Sequence, residues 1–173
     1  MKYTFVALLV GLSFQLQAQQ IEPSESLVLF ELSNMLINTV EGTFTGMSGE
    51  INYDVDRPSS ATFSVCVDAS TVNTGSKKRD QHLREEDFFS VEEFPTICIN
   101  STRIQSTPEG LRFFGTLNMH GVVKEVEFPF TYAEGKFKGS FTINRLDYGL
   151  GEGTGSFAVG EEVEISIECS VNG

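Results

Sequence analysis

Residues 162–168 read Glu-Val-Glu-Ile-Ser-Ile-Glu, so a polar side chain alternates with an apolar one along seven positions. Residues 62–68, Thr-Phe-Ser-Val-Cys-Val-Asp, repeat the same alternation. A period of two places the apolar side chains on one face of an extended strand and the polar ones on the other. These two stretches therefore predict half-buried β-strands, with one face in a core and the other in water.

Similar runs recur along most of the chain, and turn-forming residues such as those at 107–110 and 133–135 separate them. Short connections favour pairing between strands that are neighbours in sequence. The pattern therefore predicts an all-β, up-and-down antiparallel meander of eight or nine strands, which either closes into a barrel or splits into a sandwich. The predicted inward positions are Val28, Phe30, Leu32, Phe44, Phe63, Val65, Val67, Ile97, Ile99, Phe113, Leu117, Met119, Phe128, Phe130, Phe141, Ile143 and Ile165.

One long segment, at about 70–93, is too polar and too irregular for a strand. Residues 80–87 are expected to form a short helix that ends at Phe88 and Phe89, and these two rings together with Phe94 are expected to turn inward. The segment would then cap one end of the sheet. A connection of this length is usually functional, which favours a lid. The alternative is a structural plug, and the sequence does not decide between the two.

Composition excludes several classes of protein. The chain has 173 residues and a formal net charge of −12, which argues against nucleic acid as a partner because phosphate binding needs a basic face. Two histidines and three cysteines without a C-x-x-C pair leave little material for a metal site, and no cofactor is expected. His82 and His120 are the only imidazoles, and both are interpreted as structural. No catalytic residue is predicted, and an enzyme acting on an apolar substrate ranks last among the alternatives.

The N-terminus predicts export. Residues 1–18 combine Lys2, an apolar stretch and a terminal Ala18, as in a secretory signal peptide. Cleavage after Ala18 removes Lys2, the only charged residue of that segment, and changes the net charge from −12 to −13. Residues 19–173 would form one domain in the periplasm or outside the cell. No other segment approaches the ~18 apolar residues of a membrane span, so stable membrane insertion is not expected.

Strand parity leads to two further predictions, a disulfide and a dimer face. Aligning the ends of strands 61–69 and 95–103 in antiparallel register places Cys66 opposite Cys98, where a disulfide can form. The alternative of three reduced cysteines stays open, and Cys169 is expected to be free and buried. Leu27 and Leu29 have outward parity and predict a homodimer face.

Several ordered motifs resemble those of one known family. Residues 72–89 read V-N-T-G-S-K-K-R-D-Q-H-L-R-E-E-D-F-F, similar to the V-x-T-G-x-x-x-R-D-x-H-L-R-x-x-D-F-F stretch of the YceI-like family of exported lipid- and polyisoprenoid-binding proteins. Residues 94–97 (F-P-T-I), 115–122 (G-T-L-N-M-H-G-V) and 143–149 (I-N-R-L-D-Y-G) resemble its later motifs in the same order. The resemblance covers nearly all of the chain after residue 18.

This resemblance implies an eight-stranded, lipocalin-like antiparallel barrel that holds a long isoprenoid or fatty-acyl chain for transport, storage or sequestration, without enzymatic activity. The inward residues above, with Phe88, Phe89 and Phe94, would line the ligand site. The lid and polar mouth would comprise Arg79, Asp80, His82, Asn144, Arg145 and Asp147. The alternative is a protein-interaction module on a barrel scaffold whose core is filled. Replacing the inward Gly139 by Phe is expected to reduce lipid uptake while the fold survives.

Overall fold

The computed structural model describes residues 18–34, 38–154 and 159–172. The predicted signal peptide therefore lies outside the described residues except for Ala18. Within the described ranges there are ten strands and one α-helix. The strands are β1 (Gln20–Ile21), β2 (Leu27–Asn34), β3 (Asn38–Phe44), β4 (Ser48–Asn52), β5 (Thr62–Asp68), β6 (Thr96–Thr107), β7 (Gly110–Met119), β8 (Val122–Ala133), β9 (Lys136–Asn144) and β10 (Val159–Asn172), and the helix is α1 (Lys77–Leu83).

The strands form one antiparallel sheet that curls into a barrel, which confirms the predicted fold. Its order is β3-β2-β10-β9-β8-β7-β6-β5-β4, with β1 also paired to β10. The edge strands β3 and β4 are consecutive in the chain, so residues 45–47 bring the two edges of the sheet together. A backbone hydrogen bond of 2.9 Å from Gln19 N to Ile51 O links the region of β1 to β4.

Ten strands occupy eight positions around the barrel because two positions are interrupted. A 3₁₀ turn at Pro23–Glu25 separates β1 from β2, and the buried Ser26 hydroxyl bonds back to Glu22 O at 2.8 Å. The bend between β3 and β4 contains Gly46 at a φ of +68°, a conformation that glycine adopts without steric cost. The inward positions change from even numbers in β3 (Val40, Phe44) to odd numbers in β4 (Ile51), so this bend also resets the alternation.

Aromatic side chains fill one half of the interior. We call the rings of Phe63, Phe113, Phe128, Phe130 and Phe137 the aromatic cluster; the rings of Phe63 and Phe137 meet edge to face at 5.2 Å. All five are buried, with relative exposures of 2–8%. Inward parity therefore predicted correctly which phenylalanines leave the surface, and their packing closes this half of the barrel.

The segment at about 70–93 caps the other half, as expected, but its helix lies elsewhere. It begins with a 3₁₀ turn at Ala69–Thr71, and α1 spans Lys77–Leu83, earlier than the predicted helix at 80–87. The residue after the helix, Arg84, donates side-chain hydrogen bonds to Ser70 O and Val72 O at 2.7 and 2.9 Å, which tie the end of α1 to the start of the cap. No helix in the described part of the chain is long and apolar enough to cross a bilayer.

The cysteines have the predicted arrangement. Strands β5 and β6 pair with Cys66 directly opposite Cys98, and a disulfide joins the two residues, closing a loop with a sequence separation of 32. This loop contains α1 and the whole cap. Cys169 is free and buried, and burial raises the pKa of its thiol to about 11, so it stays protonated at neutral pH.

The disulfide predicts a reductant-sensitive stability. Replacing both Cys66 and Cys98 by serine should lower the free energy of unfolding by about 3–4 kcal/mol, because a loop of this length gains conformational freedom in the unfolded chain. Urea unfolding with and without a reductant measures this. Reductant should lower the midpoint of the wild type and of the matched Cys169→Ala variant, and leave the double variant unchanged. Alkylation of three thiols in the unreduced, denatured wild type would contradict the assignment.

Candidate functional site

A cavity of about 310 Å³ lies in the half of the barrel beneath α1. Seven strands (β2, β3, β5, β6, β7, β9 and β10) contribute to its wall, and the cap and the connections contribute the remainder. The residues of the wall are Val28, Phe30, Leu32, Ser33, Val40, Phe44, Met47, Val65, Cys66, Val67, Arg79, His82, Leu83, Phe88, Phe89, Ile97, Ile99, Leu117, Met119, Phe141, Ile143, Arg145, Leu150, Thr154, Val159, Val163, Ile165 and Ile167. Nearly all of them are apolar.

Inward side chains in this half are only partly buried, although they point to the interior. Phe30, Phe141 and Ile165 keep an intermediate exposure, whereas Phe113 and Phe128 in the aromatic cluster are 2% and 4% exposed. A side chain that faces inward yet remains accessible must border open space rather than a packed neighbour. The interior is therefore filled at one end and open at the other.

Most of the apolar residues predicted for a ligand site line this cavity. They are Val28, Phe30, Leu32, Phe44, Val65, Val67, Phe88, Phe89, Ile97, Ile99, Leu117, Met119, Phe141, Ile143 and Ile165. Five others do not. Phe63, Phe113, Phe128 and Phe130 pack within the aromatic cluster and border a smaller void. Phe94 packs edge to face on His120 with 5.1 Å between ring centroids, outside the cavity.

The structure also corrects the predicted polar mouth. Arg79, His82 and Arg145 line the cavity, but three other predicted residues do not. Asn144 instead accepts a hydrogen bond from Leu146 N at 2.9 Å and so caps the 3₁₀ turn at Arg145–Tyr148. Asp147 forms an exposed ion pair with Lys124 at 3.2 Å.

The third, Asp80, is buried and organises the cap. Its carboxylate accepts hydrogen bonds from Thr74 N at 2.8 Å and from the Thr74 hydroxyl. Burial on its own raises the pKa of Asp80, but the Thr74 hydrogen bonds and the charges of Arg84 and Arg79 outweigh it and hold that pKa below 3.8. Asp80 is thus a carboxylate at neutral pH and fixes the approach to α1, while Arg79 bonds Thr74 from the other side at 2.7 Å.

Sequence reasoning missed two groups of cavity residues. Val40, Val163 and Ile167 share the inward parity of their strands, so the alternation itself carried the signal for them. Met47, Leu83, Leu150, Thr154 and Val159 lie in connections, in the helix or at a strand end. Parity does not apply there, and nothing in the sequence pattern marked them.

Gly139 also lies elsewhere than the sequence suggested. A Cβ atom at this position would lie 2.9 Å from the Phe128 ring, and Gly139 borders the smaller void rather than the main cavity. Gly139→Phe therefore does not probe the main cavity, because the new ring would press on the aromatic cluster instead.

Arg145 closes the far side of the mouth. Its side chain is 3% exposed and donates hydrogen bonds to the carbonyl oxygens of Gly151, Val159 and Gly160 at 2.9, 3.1 and 2.9 Å. Two more of its bonds reach Leu150 O and Thr154 O. Burial lowers the pKa of Arg145, and the charge of Glu161 opposes that effect. One guanidinium therefore ties the end of β9 to the start of β10.

Chemically, this site can hold an apolar chain. Its polar side chains are few, and the cationic ones, Arg79 and Arg145, lie at the mouth. His82 faces Asp87 at 3.0 Å on the exposed side of the cap. Within residues 18–34, 38–154 and 159–172, no group of three or more His, Cys, Asp or Glu side chains is arranged to hold a metal ion.

The Arg145 contacts predict a specific loss of stability. Replacing Arg145 by lysine keeps the charge but removes the planar fork of donors, and several buried carbonyls then lose their partner. The free energy of unfolding should fall by about 2–3 kcal/mol, as for lost hydrogen bonds to a charged group. Urea denaturation measures this. Arg103→Lys, on the outer face where the guanidinium lies 4.0 Å from the Phe114 ring, is the matched control; an equal loss in both variants would contradict the assignment.

Comparison with known proteins identifies the domain family and the fold. The chain matches a model described as the YceI-like domain over residues 19–171. It is 28% identical to the UPF0312 protein of Pseudomonas putida strain GB-1 over 97% of both chains.

Two solved structures share its fold. Burkholderia cenocepacia BcnA matches with a TM-score of 0.77 and 20% identity, over 88% of this chain and 99% of that one. A polyisoprenoid binding domain from Saccharophagus degradans, implicated in plant cell wall breakdown, matches with a TM-score of 0.66 and 16% identity over 90% and 98%. The match to the domain model spans nearly the whole described chain, so this protein belongs to the YceI-like domain family.

Proposed function

We propose that this protein is an exported, non-enzymatic binding protein that encloses the apolar chain of an isoprenoid or fatty-acyl lipid, for transport, storage or sequestration. The observation that carries the proposal is the open cavity beneath α1, whose wall consists of inward yet partly accessible apolar side chains. Its volume of about 310 Å³ is within the range of small-molecule sites.

The energetics favour an apolar chain in this cavity. Water gains little there, since an ordered water needs two to four polar partners and most of the wall offers none. Each methylene group transferred from water to such a wall contributes about 0.8 kcal/mol. A chain of ten carbons thus contributes about 8 kcal/mol before the cost of association.

The polar side chains set the orientation of such a ligand. Arg79 and His82 come from the cap, whereas Arg145 on the opposite side of the mouth contributes only its positive charge, because its N–H groups already bond backbone carbonyls. A lipid would therefore enter chain first and leave its head group between α1 and the segment that follows β9. The reverse orientation would bury a polar head against Val65, Ile99 and Ile167, at the inner end of the cavity, where it finds no partner.

One structural neighbour supports the class of ligand, and the disulfide together with residues 1–18 supports the compartment. A neighbour of the same fold is a polyisoprenoid binding domain, which favours an isoprenoid among the apolar chains. The disulfide between Cys66 and Cys98 suits an oxidising compartment, in agreement with the signal-like segment 1–18. The homodimer stays a prediction; Leu29 on the outer face is 41% exposed.

Filling the cavity tests the proposal. Ile165 lies between Phe30 and Phe141 across three adjacent strands, so Ile165→Trp places a large ring in the open space. The matched control is Ser166→Trp, the next residue, which has the outward parity. After delipidation, native mass spectrometry with decanoic acid and with farnesol should show one bound molecule for the wild type and Ser166→Trp, and at least tenfold less for Ile165→Trp.

Two results would contradict the proposal. One is a wild-type protein that binds neither compound. The other is equal uptake by Ile165→Trp and the wild type, provided that circular dichroism and thermal unfolding show both variants to be folded.

A further inference from the structure

A second void lies behind the main cavity. It measures about 40 Å³ and borders Phe63, Phe113, Phe128 and Cys169 among others. Val65, Ile99 and Ile167 line both spaces, so the two share a wall. The barrel interior is therefore one tunnel that is divided at this level rather than two unrelated pockets.

A stack of three rings spans the boundary between the two spaces. Phe113 and Phe128 are directly opposite each other on β7 and β8, and their centroids are 4.7 Å apart with the planes 16° from parallel. Phe128 stacks equally on Phe141 of β9, at 4.7 Å and 13°. Phe141 lines the main cavity, whereas Phe113 and Phe128 line the small void. We call these three rings the phenylalanine floor.

Two glycines leave room for the close approach of these rings to the backbone. A Cβ atom at Gly139 would lie 2.9 Å from the Phe128 ring, and one at Gly115 would lie 2.6 Å from Phe113 Cε1. Any side chain at these positions would push the rings away from the wall. The pairing of the strands sets the spacing of the rings, and the backbone of Gly115 and Gly139 lies against Phe113 and Phe128. These contacts hold the stack in place.

We propose that the phenylalanine floor determines how much of a lipid chain the barrel encloses. This inference rests on the proposed function. If each chain carbon takes the ~30 Å³ that a water occupies in the liquid, the main cavity of about 310 Å³ holds a chain of about ten carbons. A longer chain leaves its remaining carbons at the mouth, next to α1, where they gain little from burial. Opening the floor joins the two spaces and lengthens the enclosed portion.

A series of fatty acids of increasing chain length tests whether the phenylalanine floor limits the enclosed chain. Saturated acids of 8 to 18 carbons, each below its critical micelle concentration, are titrated against the delipidated full chain by calorimetry. For the wild type, affinity should rise about fourfold for each added methylene, the ratio that its transfer free energy gives, and then level off between 10 and 12 carbons. In Phe141→Ala and Phe128→Ala the plateau should move to chains at least two carbons longer.

Control variants separate this effect from general loosening of the barrel. Phe114→Ala removes a ring from the outer face of the same strand as Phe113, where it faces Arg103, and should leave the plateau unchanged. Phe141→Leu provides a milder opening if Phe128→Ala fails to fold, and should shift the plateau in the same direction.

The outcomes distinguish the floor from the proposed function. If the wild type binds the acids but the plateau stays at the same length in both alanine variants, the floor is overturned and the proposed function stands. Affinity that keeps rising to 18 carbons in the wild type also overturns the floor. If no acid binds to the wild type, both fail together.

Discussion

The interior of an eight-position barrel has a nearly fixed volume, and the size of the inward side chains decides how much of it stays open. At one end Phe63, Phe113, Phe128 and Phe130 interlock and are almost fully buried. The other end carries rings too, among them Phe30 and Phe141, but together with aliphatic side chains they leave the space between them open. The barrel interior thus contains a packed core at one end and a cavity at the other.

The open end depends on polar contacts at its rim. An unfilled interior contributes less packing than a core does, so the cap must be held by other means. The disulfide between Cys66 and Cys98 fixes both ends of the cap to neighbouring strands. Asp80 and Arg84 tie its backbone together, and Arg145 binds the opposite segment through carbonyl oxygens alone. Charged groups therefore act here as structural anchors around an apolar space.

Much of this arrangement could be predicted from the sequence, because alternation reports directly on the two faces of a strand. It assigned seven phenylalanines of the strands correctly to the interior and placed Cys66 opposite Cys98. Alternation does not report the level of a residue along the barrel axis. Phe128 and Phe141 both have the inward parity of their own strands, yet Phe128 belongs to the packed end and Phe141 to the cavity.

Cavity residues in the connections between strands could not be predicted from alternation either. Leu150 and Thr154 reach the cavity from an irregular segment, where no periodicity exists. Asn144 and Asp147 sit in the same motif as Arg145, but the 3₁₀ turn points them away from the mouth. A motif names the residues of such a turn, and only the backbone geometry decides which side chain faces inward.

The central claim is that the space beneath α1 receives an apolar chain. Nuclear Overhauser effects between a ¹³C-labelled decanoic acid and the methyl groups of the protein test it most directly. The account predicts contacts from the chain to Ile97, Ile143 and Ile165 and none to the outward Leu27 and Leu29. Contacts confined to Leu27 and Leu29, with the interior isoleucine methyls unperturbed, would contradict it.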